Sequence, residues 1–128
     1  MLAIHFHFDG RCDEAIELYE RAFQTKIYDM ERNENGRVLH AEMFIHGHRV
    51  MLNDHFGGKG NDPANFSIQM IPIFQTGEAL LACYEILKEE ALSYEPPWTA
   101  DHSPLIARVT DKFGITWGMM VEQGGDGA

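Results

Sequence analysis

From Leu2 to Phe8 apolar and polar residues alternate, Leu-Ala-Ile-His-Phe-His-Phe, and the run stops at Asp9-Gly10. A period of two that ends in a turn pair predicts a strand. The spacing then changes. Ala15, Ile16, Tyr19, Ala22 and Phe23 share one face of a helix predicted over Cys12–Gln24. Asp13, Glu14 and Glu17 lie in its first turns, where negative charge suits the helix dipole. Three strands are predicted after it, at Lys26–Met30, Val38–Ile45 and Arg49–Asn53, with His46-Gly47-His48 as a tight hairpin between the last two.

The second half repeats the order. Phe66–Ile73 reads as an apolar strand, Gln75-Thr76-Gly77 as a break, and Glu78–Glu90 as a helix. Its stripe of Ala79, Leu80, Cys83, Ile86 and Leu87 is the first stripe displaced by 64 residues, and 2–8 falls on 66–72 at the same offset. Short strands follow at Leu92–Glu95 and Leu105–Thr110, a turn at Asp111–Gly114, and a last strand at Ile115–Glu122. Gly47 and Gly114 are matching hairpin glycines at an offset of 67. The polar, glycine-rich stretch 55–65 is a linker, and the tail from Gln123 to Ala128 is expected to fray.

Strand, helix and three strands, twice, give an α+β fold of two βαβββ modules, at about 2–54 and 66–122. The expected arrangement places each helix on the outer face of a small curved sheet. The sheets pair into an open, trough-like barrel whose inner face holds a ligand. A chain of 128 residues fits one such domain.

Charge narrows the partners. Twenty acidic residues against ten Lys and Arg leave a net charge of −10, and no basic cluster offsets it, which argues against nucleic acid. The apolar runs are far short of a membrane span. With no basic region ahead of an apolar stretch at the start, the expected location is the cytoplasm. Cys12 and Cys83 are too few for a disulfide framework or a zinc ribbon. Gly57-Gly58-Lys59-Gly60 lacks the rest of a phosphate loop, and none of Ser67, Ser93 and Ser103 stands in a nucleophile-elbow context.

Three segments carry a family resemblance. Phe8-Asp9-Gly10-Arg11-Cys12-Asp13-Glu14-Ala15-Ile16-Glu17-Leu18-Tyr19 resembles the F-x-G-x-C-x-E-A-I-x-x-Y opening of PhnB-like proteins. His40-Ala41-Glu42-Met43-Phe44-Ile45-His46-Gly47, with Val50-Met51-Leu52-Asn53-Asp54 after it, resembles their central hairpin. Asp111-Lys112-Phe113-Gly114-Ile115-Thr116-Trp117 resembles their closing D-x-F-G-x-x-W. The resemblance implies the vicinal-oxygen-chelate fold of glyoxalases, bleomycin resistance proteins and ring-cleaving dioxygenases. It also implies a homodimer with sites at module interfaces, but it fixes no reaction. Around Trp98 the sequence Trp-Thr-Ala-Asp-His-Ser-Pro departs from the glycine and second Phe-Gly step of relatives.

In the metal-binding branches of that superfamily the ligands come from the first and fourth strands of both modules. His5 falls on Gln69 at offset 64, and His55 on Glu122 at offset 67. His5, Gln69, Glu122 and either Asp54 or His55 could therefore hold a divalent metal ion such as iron, zinc, nickel or manganese. A register one residue away gives those parities to Val121 and to Ile4 or Ala3. On that reading His5 and His7 line a polar trough, with Gln69 and Trp98, and bind a small molecule. His40 and Glu42 share a strand face, so Glu42 could act as a general base partnered by His40, or the two could form a solvated polar pair. Trp117 reads as core, Met119-Met120 as an adaptable lining or a dimer contact, and Cys12 as structural despite a helix start that would favour its thiolate. Two functions follow: a small-molecule-binding protein, or a metal-dependent lyase or dioxygenase of the glyoxalase type.

Overall fold

The computed structural model describes residues 2–55 and 68–127. The chain forms two compact units, Met1–Gly60 and Asn61–Ala128. The 56–65 part of the linker, with its Gly-Gly-Lys-Gly run, and the first two residues of the predicted Phe66–Ile73 strand lie outside the described residues. No described helix is long and apolar enough to cross a membrane.

The first unit runs β1 (Ile4–Phe8), α1 (Cys12–Phe23), β2 (Asp29–Arg32), β3 (Val38–Ile45) and β4 (His48–Asp54). The second runs β5 (Ile73–Thr76), α2 (Gly77–Leu87), β6 (Ser93–Ala100), β7 (Ser103–Thr110) and β8 (Thr116–Asp126). Their sheets have the same strand order, β1-β4-β3-β2 and β5-β8-β7-β6. In both, the first strand pairs in parallel with the fourth and the other pairs are antiparallel. The predicted α+β duplication of βαβββ modules is therefore present.

Each core lies between a sheet and its one helix. Ala15, Ile16, Leu18, Tyr19 and Ala22 of α1 are buried against Phe6, Phe8, Met43, Val50 and Leu52. The Tyr19 ring sits 6.1 Å from Phe6 and 6.4 Å from Phe8. On α2, Leu80, Cys83, Tyr84 and Leu87 are buried, whereas Ala79 of the predicted stripe is exposed. Burial pushes the thiols of Cys12 and Cys83 up to about 12, and for Cys12 the carboxylate of Asp54 adds to the effect. Cys12 is thus a buried thiol, and the electrostatic help of a helix start is outweighed.

Two buried carboxylates brace the modules, one in each. Asp54, at the end of β4, accepts the backbone N–H of Cys12 (2.9 Å) on one oxygen and that of Val38 (3.1 Å) on the other. It therefore caps α1, whose own N-cap residue Arg11 makes no side-chain cap, and ties the helix to the start of β3. Asp111 accepts from the N–H groups of Phe113 (2.9 Å) and Ile115 (3.1 Å) and from Trp117 Nε1 (2.9 Å). One side chain thereby builds the β7–β8 turn and anchors the buried indole.

Several element bounds differ from expectation for local reasons. The strand predicted to end at Ile73 continues to Thr76, and its ladder with β8 starts at Ile73 because Pro72 has no N–H; Met70 makes an isolated bridge to Trp117. Thr76, expected in a break, is the N-cap of α2, and its hydroxyl accepts the Ala79 N–H at 3.2 Å. Strand β6 extends to Ala100, with ladder irregularities spanning Pro96-Pro97. The tail is strand as far as Asp126, which pairs with Thr76.

The strand ladders also correct the offset. Val50 and Trp117 each stand three residues beyond their hairpin glycine, and they pair with Ile4 and Met70 respectively. First strands are thus offset by 66 and helices by 64, because Asp9–Arg11 separate β1 from α1 whereas β5 runs straight into α2. The counterparts of His5 and His7 are Ile71 and Ile73, not Gln69 and Ile71.

Asp54→Ala leaves two buried N–H groups without their charged acceptor. It should destabilise the protein by about 3 kcal/mol in urea unfolding, against less than about 0.5 kcal/mol for Asp29→Ala at the exposed start of β2.

Candidate functional site

With α1 on one side of the first sheet, every second residue of its strands faces away from the helix. The register places His5 beside Met51, Met51 beside Glu42, and Glu42 beside Asp29, while His7 lies beside Asn53. The helix-free face therefore collects His5, His7, His40, Glu42 and Asn53, with Phe6 and Phe8 turned to the core. The His5 and His7 rings are 4.3 Å apart, His5 and His40 6.4 Å, and His7 and His55 5.8 Å. His7 Nδ1 is 2.6 Å from Asn53 Oδ1, and an amide oxygen only accepts, so Nδ1 carries the proton. Partial burial, then the neighbouring His7 and His40, lower the pKa of His5 and favour its neutral imidazole.

Glu42 is the most heavily bonded group on this face. Its carboxylate accepts from Arg49 Nε, from Arg49 Nη2 at 3.0 Å, from the Tyr28 hydroxyl at 2.6 Å and from His40 Nε2 at 2.7 Å. The Tyr28 ring stacks on Phe44 at 5.1 Å, roofing the cluster. Arg49 first, then Tyr28 and His40, hold the carboxyl well below the usual carboxylate range. A carboxylate so stabilised is a weak base. The expected roles are better reversed in this geometry: His40 donates Nε2–H to Glu42, and its Nδ1 is the position that takes a proton. Asp29, His40 and Glu42 bring potential ligand atoms within 4.8 Å of one another, but the Arg49 guanidinium already supplies the cation.

The helix-free face of the second sheet carries a cleft of ≈ 400 Å3 lined by Gln69, Ser93, Tyr94, Glu95, Arg108, Thr110 and Thr116. Arg108 is its centre. Nη1 donates to both Glu95 oxygens at 3.2 Å, Nε donates to Gln69 Oε1 at 3.4 Å, and the guanidinium carbon lies 5.7 Å from the Trp98 ring centroid. The ion pair is half exposed, so it is worth about 0–1 kcal/mol and its partners exchange readily. Gln69 packs over Gly118, where a Cβ would collide with its Oε1. At the floor the hydroxyls of Thr110 and Thr116 bond each other at 2.9 Å.

The structure thus brings His5, His7 and His40 together on one unit, with His55 beside His7, and Gln69 and Trp98 together around Arg108 on the other. It does not assemble the expected metal quartet. Asp54 faces the helix and spends both oxygens on backbone N–H groups, and the counterpart of His5 is Ile71. Glu122 is exposed and alternates with buried Val121, four residues along β8 from the glycine that Gln69 covers, or roughly 13 Å of strand. These residues do not fit a four-ligand site. Trp117 and Met119 are core, and Met120 is on the helix-free side. Arg49, Tyr28, Asn53, Arg108 and Glu95 were not expected at a site. The arginines had a signal: each takes the parity opposite to the apolar core positions of its strand, Val50 and Leu52 for Arg49 and Ala107 and Val109 for Arg108, which marks the wet face.

No protein-family model matches the chain, and neither does any curated protein. Solved structures do. The chain is similar to a putative 3-demethylubiquinone-9 3-methyltransferase, a PhnB protein, from Bacillus cereus, with a TM-score of 0.79 and 20% identity over 94% of this chain and 98% of that one. A glyoxylase/bleomycin resistance protein/dioxygenase domain from Frankia sp. EAN1pec gives 0.74 and 16% identity over 95% and 96%. The fosfomycin resistance protein FosX from Listeria monocytogenes, complexed with Mn(II) and 1S,2S-dihydroxypropylphosphonic acid, gives 0.71 and 9% identity over 94% and 90%. The fold is that of the glyoxalase, or vicinal-oxygen-chelate, proteins. Within that fold, PhnB-like structures are among the chain's matches.

The depressed Glu42 pKa has a pH signature. A carboxyl whose folded pKa lies below its unfolded one stabilises the fold above about pH 4.3, and the contribution fades as pH falls further. The urea midpoint of Glu42→Gln should trail the wild type by a constant gap from pH 7 to 5. That gap should close progressively below pH 4; a gap unchanged at pH 3 would contradict the bonding described.

Proposed function

We propose that the protein binds a small polar molecule on the helix-free faces of its two modules. The observation that carries this reading is the concentration of hydrogen-bonding side chains on those faces: His5, His7, His40, Glu42 and Asn53 on one, Gln69, Glu95, Trp98 and Arg108 on the other. A sheet face set with imidazoles and a guanidinium is costly to cover with apolar side chains and is suited to a polar ligand. FosX, of the same fold, is seen with a phosphonic acid in its structure. Binding is favoured over a metal-dependent lyase or dioxygenase because two members of the implied donor set are engaged or misplaced. Where chemistry occurs, His40, oriented by Glu42, is the group suited to accept a proton. The protein acts in the cytoplasm as a homodimer, whose second copy covers exposed apolar side chains such as Ile71, Ile73 and Phe44.

The double variant His5→Ala/His7→Ala should keep its fold, losing roughly 0.5 kcal/mol per site, while the affinity for ligands found in a thermal-shift screen falls. Unfolding of the double variant, or unchanged affinity, would refute the role of this face. Elemental analysis of protein purified without chelator should find no stoichiometric transition metal; about one tightly held ion per chain would restore the lyase or dioxygenase reading. Light scattering at micromolar concentration should give the dimer mass.

A further inference from the structure

The geometry points to the second-unit cleft as a site for a small zwitterion, a molecule carrying a carboxylate and an ammonium on neighbouring atoms, as an α-amino acid does. This rests on the binding reading above and names the ligand class for one of its faces.

The cleft offers one full positive and one full negative charge, side by side. Arg108 presents them as a set: Nη1 holds Glu95, Nε holds Gln69, and Nη2 has no partner among the described residues. A guanidinium has five N–H donors, so Nη2 keeps two for an incoming carboxylate. Glu95 takes only one long contact per oxygen, at 3.2 Å, and retains acceptor positions for an ammonium. The Trp98 ring centroid lies 5.7 Å from the guanidinium carbon, within cation–π range, and the bonds to Glu95 and Gln69 orient the guanidinium, which sets the direction of the Nη2 donors.

Charge selects among ligands. A simple anion meets Glu95 at contact distance and a chain of net charge −10 beyond it. A simple cation meets Arg108. A zwitterion satisfies both members of the pair and brings no net charge. The hydroxyls of Thr110 and Thr116 at the floor and the Gln69 amide at the side supply neutral hydrogen bonds around the head group.

Glycine is the minimal probe, with acetate and methylammonium as its two halves, titrated at constant ionic strength and followed by NMR. The indole N–H of Trp98 reports the cleft. That of Trp117, buried and bonded to Asp111, reports the fold. Glycine should shift the Trp98 signal saturably, and each half should bind about tenfold more weakly or worse. Glu95→Gln should lower glycine affinity by about tenfold and make acetate the better ligand, with the Trp117 signal unmoved; Arg108→Gln should reverse the preference toward methylammonium. Acetate or methylammonium matching glycine in the wild type would overturn the assignment. So would silence at Trp98 with all three probes, and a different screened ligand that then shifted Trp98 would show that the cleft binds but the class is wrong. Silence with every screened compound would remove the binding reading of this face as well.

Discussion

Among the described residues one helix covers each four-stranded sheet, and the candidate sites depend on that shortage. A sheet has two faces, and period-two alternation turns consecutive side chains to opposite ones. With a single helix available, each strand must supply apolar residues on one parity and is free to supply chemistry on the other. Strand β1 shows it in five residues, where Phe6 and Phe8 meet Tyr19 while His5 and His7 do not. Strand β7 does the same, with Ala107 and Val109 in the core and Arg108 on the wet side. The candidate sites need no loop or insertion of their own.

The opening and closing segments that resemble PhnB-like proteins prove to be parts of this scaffold. In the opening segment Phe8, Cys12, Ala15, Ile16 and Tyr19 are all buried. In the closing segment Asp111 shapes the turn and holds Trp117. Asp54, which could have been read as a metal ligand, caps a helix that lacks a cap of its own. A buried carboxylate that accepts two backbone N–H groups is held in place by them, since moving it would leave those groups unpaired. Such residues identify a fold well and a reaction poorly, which is why the similarity to solved structures is strong in shape and weak in identity.

The two modules have diverged on the face their duplication left open. The first carries imidazoles where the second carries Ile71 and Ile73, and the second carries an Arg–Glu pair beside its cleft. The core faces stay equivalent, with Leu80, Cys83 and Leu87 standing for Ile16, Tyr19 and Phe23 at one offset. Selection on packing acts on the buried parity. The exposed parity can change without cost to the core.

Residue order alone determined the element plan, the duplication and the faces of the first strand and helix, because hydrophobic periodicity is a local property of a strand or a helix. It also picked out His5, His7, His40, Glu42 and Gln69 as polar groups on predicted strands, and Trp98 as an aromatic lining residue. It misjudged the correspondence between halves, since a helix stripe says nothing about the length of the connection before it. The real offset of the first strands appears only in the ladders of Ile4 with Val50 and Met70 with Trp117. Only the tertiary structure decided which carboxylates are spent on the scaffold and which stand on the helix-free face. Asp54 and Glu42 look alike in sequence, yet one is bound to backbone N–H groups 42 and 16 residues away and the other to Arg49, Tyr28 and His40. His40 apart, those partners come from other segments of the chain, and tertiary packing with strand pairing, a long-range property, is what brings them within hydrogen-bond reach.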